Sequence, residues 1–314
     1  MTRLYKLICI IAISLITTLY GDCILGLDID DISWDGKDHV NEYDITDTVE
    51  RVQREKFLVT HQHDDRCYYF VTFSKGQAES YTRCLTKGSD ILNYNIYDKN
   101  SRINILKEFP EASDNNDVIS GKTNKGGNHR KEEKYYLSIP PNQIIPPGIY
   151  TDTFTAKVYE GEIAGTFTER NTESVTFCAT VPEVVQVSLI DTGEDFDHMD
   201  TSHIVDFGDI TGPETIRFDM RIRANVGYTV AMTSENGGSM VGINNNENTL
   251  PYVLQVDGIT APLSSGGPVN VASGTDMTTL NGDRHAISIS VDPISNPAKA
   301  GDYRDIVYVQ VSST

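Results

Sequence analysis

Ser188-Leu189-Ile190-Asp191-Thr192-Gly193 matches the apolar-Asp-Thr-Gly phrase of aspartic proteases. That mechanism needs two carboxylates sharing one proton. No second Asp-Thr-Gly occurs in the chain, and Glu194 stands where the protease pattern has a small residue. The phrase is therefore read as a turn that follows a strand. His61-Gln62-His63-Asp64-Asp65 offers a second set of candidate groups, since alternate residues of a strand share a face and imidazoles bind metals. Cys67 is the one further ligand at a supporting distance, and it is assigned below to a disulfide, so no metal site and no cofactor are expected. Residues 28–36 are rich in acid but lack the residue order of a calcium-binding loop. No Ser-His-Asp or Cys-His grouping has a recognisable setting, and an enzyme is not expected.

The cysteines carry a different chemistry. Arg3 and Lys6 precede an apolar run over 7–19 that ends in Tyr20-Gly21-Asp22, the layout of a secretory signal peptide. The run is shorter than the ~20 residues that span a bilayer. Residues 1–21 are read as a signal peptide, which removes Cys9 and leaves Cys23, Cys67, Cys84 and Cys178 in an exported chain. An even number in an oxidising compartment implies two disulfides, with three possible pairings. Residues 67–84 read as strand, glycine turn and strand, so Cys67–Cys84 is the expected bridge, and Cys23–Cys178 follows by elimination. The formal net charge of −19 argues against a nucleic-acid partner, because phosphate is bound by Lys and Arg.

These residues must be positioned by strands. Gly, Pro, Asn, Asp and Thr punctuate the chain, and sustained helical periodicity is hard to find after residue 22. Strand patterns fall at 57–60, 68–74, 90–98 and 135–139, and again at 174–191, 204–210, 214–225, 227–238, 251–258 and 286–293. Between two of them, residues 111–134 are polar and are read as a long mobile loop. One strand is written twice. Gly148, Tyr150 and Asp152 recur as Gly301, Tyr303 and Asp305, each followed by alternating apolar residues: Phe154, Ala156 and Val158, then Val307, Val309 and Val311. The expected fold is all-β, with two β-sandwiches in tandem. Residues 22–172 form the first unit and 173–314 the second, with a polar, turn-rich boundary at 159–174.

The phrases CYYFVTFSKG (67–76), LNYNIYD (92–98) and IPPNQIIPPGIYTDTFTAKV (139–158) resemble the spore coat protein U domain family. VDFGDI (205–210), RANVGYTVAMTSENGG (223–238) and AGDYRDIVYVQV (300–311) resemble the pilin half of two-domain subunits from archaic chaperone–usher pili. The resemblance implies immunoglobulin-like sandwiches, the second lacking its last strand, which a neighbouring subunit or an assembly chaperone supplies by β-augmentation. It implies a tip adhesin, exported through the periplasm to the pilus tip, that attaches cells to surfaces and supports biofilm. Its partners would be a periplasmic chaperone, an outer-membrane usher and the next subunit. The surface ligand and the adhesive residues are not implied. The alternative is an internal pilus or coat subunit of the same fold without a receptor site. The alternation of Leu25, Leu27 and Ile29 fits either a first strand of the N-terminal unit or a donor strand. Residues after the first copy of the doubled strand include Ile163, Phe167, Val175 and Phe177, enough for a closing strand, whereas Ser312, Ser313 and Thr314 follow the second. Tyr303, Val307, Val309 and Val311 are thus expected to border a groove that accepts a partner strand.

Overall fold

The computed structural model describes residues 23–33, 42–62, 64–292 and 299–314. The expected signal peptide and His63 lie outside the described residues. Among the described residues the chain is all-β apart from one short 3-10 turn at Leu263–Ser265.

Ten strands build the first unit: β1 (Leu25–Asp28), β2 (Ile32–Ser33), β3 (Arg51–His61), β4 (Tyr68–Phe73), β5 (Arg83–Lys87), β6 (Asp90–Tyr97), β7 (Ile119–Lys122), β8 (His129–Ile139), β9 (Gly148–Gly161) and β10 (Phe167–Val181). One layer runs β1-β3-β8-β6-β5 and the other β7-β4-β9-β10-β2. The long β9 joins them, pairing with β5 at Thr151 and with β4 from Ala156 to Glu160. Strict alternation along β9 sends Tyr150, Asp152, Phe154, Ala156 and Val158 inward, all fully buried. The layers meet through aromatic rings: Phe73 of β4 lies 6.1 Å from Phe57 of β3, 5.3 Å from Tyr135 of β8 and 6.0 Å from Phe154.

Ten more strands build the second unit: β11 (Val185–Ile190), β12 (Glu214–Ala224), β13 (Tyr228–Ser234), β14 (Ser239–Gly242), β15 (Asn245–Val256), β16 (Ile259–Thr260), β17 (Val269–Gly274), β18 (Asp283–Val291), β19 (Tyr303–Arg304) and β20 (Val307–Ser313). One layer runs β11-β12-β18-β15-β14-β19 and the other β17-β13-β20. The first repeats β1-β3-β8-β6-β5-β9, and the second repeats β7-β4-β9. Both units are immunoglobulin-like sandwiches with one shared topology. Their main difference is β10, for which the second unit has no counterpart among the described residues.

Two sequence expectations need correction. Residues 111–134 are not a structureless loop, because they contain β7 and the first half of β8, paired with β4 and β3. A boundary at 172/173 would cut through β10, which pairs with β9 from Phe167 to Val181, so residues 173–181 belong to the first sandwich. The second sheet begins at Val185, after Pro182-Glu183-Val184.

Candidate functional site

The doubled strand carries the same set of hydrogen bonds in both units. Tyr150 donates its hydroxyl proton to Pro146 O at 2.7 Å, and Tyr303 donates to Lys299 O at 2.6 Å, each reaching four residues back as in a tyrosine corner. Asp152, wholly buried, accepts from Tyr94 Oη, from Gln77 N and from Thr153 N. Asp305 accepts from Tyr252 Oη, from Asn236 N and from Ile306 N, and also from Ser234 Oγ. Each carboxylate therefore ties the start of its strand to a tyrosine of the facing layer and to the turn after β4 or β13. Gly148 has φ +141°, a backbone conformation that residues with a Cβ rarely adopt, which is why the phrase opens on glycine. Gly-x-Tyr-x-Asp is thus an anchoring device, and the apolar alternation after it is the part left to meet a neighbour.

That neighbour exists in the first unit. β10 pairs with β9 along its whole length, setting Val175 opposite Phe154 and Thr153 opposite Thr176. Phe154, Ala156 and Val158 are fully buried as a result of both layers and this flanking strand. In the second unit β20 pairs with β13 alone, Met232 opposite Val309 and Val230 opposite Val311. Among the described residues no strand pairs with its other edge. Val307, Val309 and Val311 are half-buried, although their register and facing layer match the first unit.

An apolar cavity of about 230 Å³ runs along this edge. Val307, Val309 and Met232 line it from one layer, and Phe218, Leu254, Ile287 and Ile289 from the other. Its far wall is the irregular segment that carries His203, Val205 and Phe207, with His203 stacked on Phe218 at 4.4 Å. Tyr303 also lines it, so the structure brings together three of the four expected groove residues; Val311 packs at the fringe of the same core. The strand expected over 204–210 is absent: residues 203–207 form no strand and wall the cavity instead.

A clamp positions the wall. Gly193 N and the Arg284 guanidinium both donate to the buried carboxylate of Asp219, at 2.7 to 2.9 Å. The Arg223 guanidinium lies over the Phe196 ring at 4.0 Å. Burial alone would raise the Asp219 carboxyl, but the hydrogen bonds from Arg284 and Gly193 and the charge of Arg284 outweigh it and hold it below the ordinary range. A depressed folded value adds stability that is complete above the unfolded value, about 4, and is lost as the pH falls through the folded one. The thermal midpoint of the second unit is therefore expected to fall below about pH 4, and Asp219→Asn to flatten that fall in a pH series of melting curves.

The cysteines depart from expectation. The structure joins Cys23 to Cys67, while Cys84 and Cys178 are free, half-buried thiols. The expected Cys67–Cys84 bridge fails because β4 and β5 do not form a hairpin: β4 pairs with β7 and β9 in one layer, and β5 with β6 in the other. Cys67 faces the core, whereas Cys84 and Cys178 sit at outward-alternating positions of β5 and β10. Burial, then the negative charge of Asp152, raises the Cys84 thiol above its usual range. Non-reducing peptide mapping should recover Cys23 linked to Cys67, with Cys84 and Cys178 alkylated without reduction. The bridge spans a sequence separation of 44, and losing it should cost about 3–4 kcal/mol. It ties the start of β1 to the start of β4, while β1 itself pairs with β3, Leu25 opposite His61 and Leu27 opposite Val59. Leu25 and Leu27 are core residues of their own sandwich.

Asp191 is exposed, with His203 at 4.0 Å. His61 is buried beside the two bridged cysteines. Among the described residues no helix is long and apolar enough to cross a membrane.

Comparison with curated proteins finds no match. Among solved structures, the chain is similar to a chaperone–tip adhesion subunit pre-assembly complex of the archaic Csu pili of Acinetobacter baumannii, at 14% identity and a TM-score of 0.43, covering 91% of this chain and 99% of that one. It is similar to the CupB6 tip adhesin of Pseudomonas aeruginosa at 9% identity and a TM-score of 0.38, covering 91% and 94%. A third is CfaE, the adhesive subunit of CFA/I fimbria of enterotoxigenic Escherichia coli, at 12% identity and a TM-score of 0.33, covering 78% and 81%. Residues 54–157, from β3 to the inner half of β9, match the Spore Coat Protein U domain family. The match spans about a third of the chain's length.

Proposed function

We propose that this protein is a subunit of an archaic chaperone–usher pilus whose second unit accepts a strand from a partner beside β20. The carrying observation is the contrast between two copies of one strand. β9 is flanked by β10 and its apolar residues are fully buried, whereas β20 is an edge whose valines are half-buried over an apolar cavity. An exposed edge of this kind is a template for strand addition and a liability if left bare. The occupant is an assembly chaperone first and then the next subunit, delivered through an usher.

The first unit is closed by its own β10, and β1 is held in its own sheet by pairing and by the Cys23–Cys67 bridge. A subunit that accepts a strand while keeping its first strand in place suits the end of a fibre. We therefore read the protein as a tip adhesin at the cell surface, with residues 23–181 as the adhesive unit that attaches cells to surfaces in biofilm formation. Purified residues 23–181 are expected to coat the target surface and to compete with whole cells for it. Competition by residues 185–314 alone would reverse the roles and favour an internal subunit.

A further inference from the structure

We propose that Cys23, Cys67 and His61 form a binding site for a borderline-to-soft transition-metal ion such as Zn²⁺, exposed to the ion when the disulfide is reduced. Their candidate ligand atoms all lie within 4.8 Å of one another, and His61 Nε2 stands 3.0 Å from Cys67 Sγ. The three residues are 6%, 2% and 0% exposed. Along β3 the inward positions before His61 are Phe57 and Val59, so packing alone calls for an apolar side chain there. An imidazole placed against two sulfurs instead supplies the N and S donors that Zn²⁺ prefers.

The ligand positions do not depend on the sulfur–sulfur bond. Cys67 N donates to Thr123 Oγ1 at 2.9 Å, and Thr123 N donates to Cys67 O at 2.8 Å. Gln62 N donates to Ile24 O at 3.2 Å, which holds the residue after Cys23 beside His61. The Cα atoms of the cysteines are 6.2 Å apart. Zinc–sulfur bonds of about 2.3 Å in a tetrahedral site need sulfurs roughly 3.7 Å apart, a separation that side-chain rotation at this Cα distance provides. Reduction proceeds by a dithiol, which gives two electrons and two protons to the bridge and is itself oxidised to a disulfide. The ion then binds two thiolates and the neutral imidazole, releasing both thiol protons to solvent, with a water in the fourth position. In either redox state β1 stays tethered to the sandwich.

The test uses the full chain with Cys84→Ser and Cys178→Ser, so that the remaining thiols are those of the site. After reduction by a phosphine and removal of the reductant without oxygen, the protein is titrated with Co²⁺. The expected result is a thiolate-to-cobalt charge-transfer band that saturates at a single ion, absent before reduction and absent in Cys23→Ser. His61→Gln should weaken binding by at least ~10-fold, the loss typical of even an outer partner of a metal. Cadmium NMR of the chain with His61 intact reads the donor set independently of whether that variant folds, and should report two sulfurs and one nitrogen. No band after reduction, unchanged affinity in a folded His61→Gln, or a cadmium signal with sulfur and oxygen donors only would overturn the site.

Discussion

Val309→Asp is expected to abolish docking of a strand beside β20 while leaving the chain folded. Val309 lies opposite Met232, lines the apolar cavity and is half-buried. Before docking, solvent reaches a carboxylate at this position, so the free protein bears little of the cost. After docking, the incoming strand would seal the charge in a cavity lined mostly by apolar side chains such as Phe218, Leu254 and Ile287, with His203, Tyr252, Tyr303 and Arg304 among its polar members. An unpaired buried carboxylate costs at least ~3 kcal/mol, which is at least a ~100-fold loss of affinity. Gln310→Asp is the control, since Gln310 is exposed on the other face of β20 and its substitution should leave affinity nearly unchanged. Titration of a fluorescent donor peptide against both variants and the parent reads the difference, and equal losses in the two would place the docking surface elsewhere.

The second large effect is on stability. A donor strand joined by a flexible linker after Thr314 should lodge beside β20 and raise the thermal midpoint of the second unit by about 10–20 °C. Three or four apolar side chains pressed into the groove contribute roughly 1.5–3 kcal/mol each, offset in part by ordering the strand, for a net on the order of 5 kcal/mol. For a unit of this size each kcal/mol moves the midpoint by about 2–6 °C. The first unit already holds β10, so its transition should not move. Calorimetry of the full chain with and without the added strand should show one transition displaced and the other fixed. A shift of both, or of neither, would contradict the difference in completeness between the units.

The sequence made the inner strands legible because burial on one face writes a period of two. Phe154-x-Ala156-x-Val158 and Val307-x-Val309-x-Val311 are such cases, and their shared Gly-x-Tyr-x-Asp opening announced the repeat before any contact was known. Strands without an apolar face left no such mark. Residues 129–134, His-Arg-Lys-Glu-Glu-Lys, form half of β8 because β3 pairs with them and because pairs such as Lys56 with Glu132 at 3.2 Å lie across the strands. The polar half of β10, from Phe167 to Ser174, reads as a linker in sequence for the same reason. The disulfide depended on which strands share a layer, and a turn between β4 and β5 looks the same in sequence whether it makes a hairpin or crosses the sandwich. Arg83 marks that crossing: wholly buried, it donates to Ser74 O, Phe73 O and Leu106 O, and burial lowers its guanidinium to about 10. Nothing in local composition distinguishes such an arginine from a surface one.

Residue-resolved hydrogen exchange along β20 tests the central claim most directly. In the free, monomeric full chain, alternate amides of Val307–Ser313 face away from β13 and should exchange rapidly, while their counterparts in β9 stay protected by β10. A saturating donor peptide should slow those alternate amides and leave β9 unchanged. Uniform protection of β20 in the free monomer, or no gain of protection with the peptide bound, would contradict an open edge that takes a partner's strand.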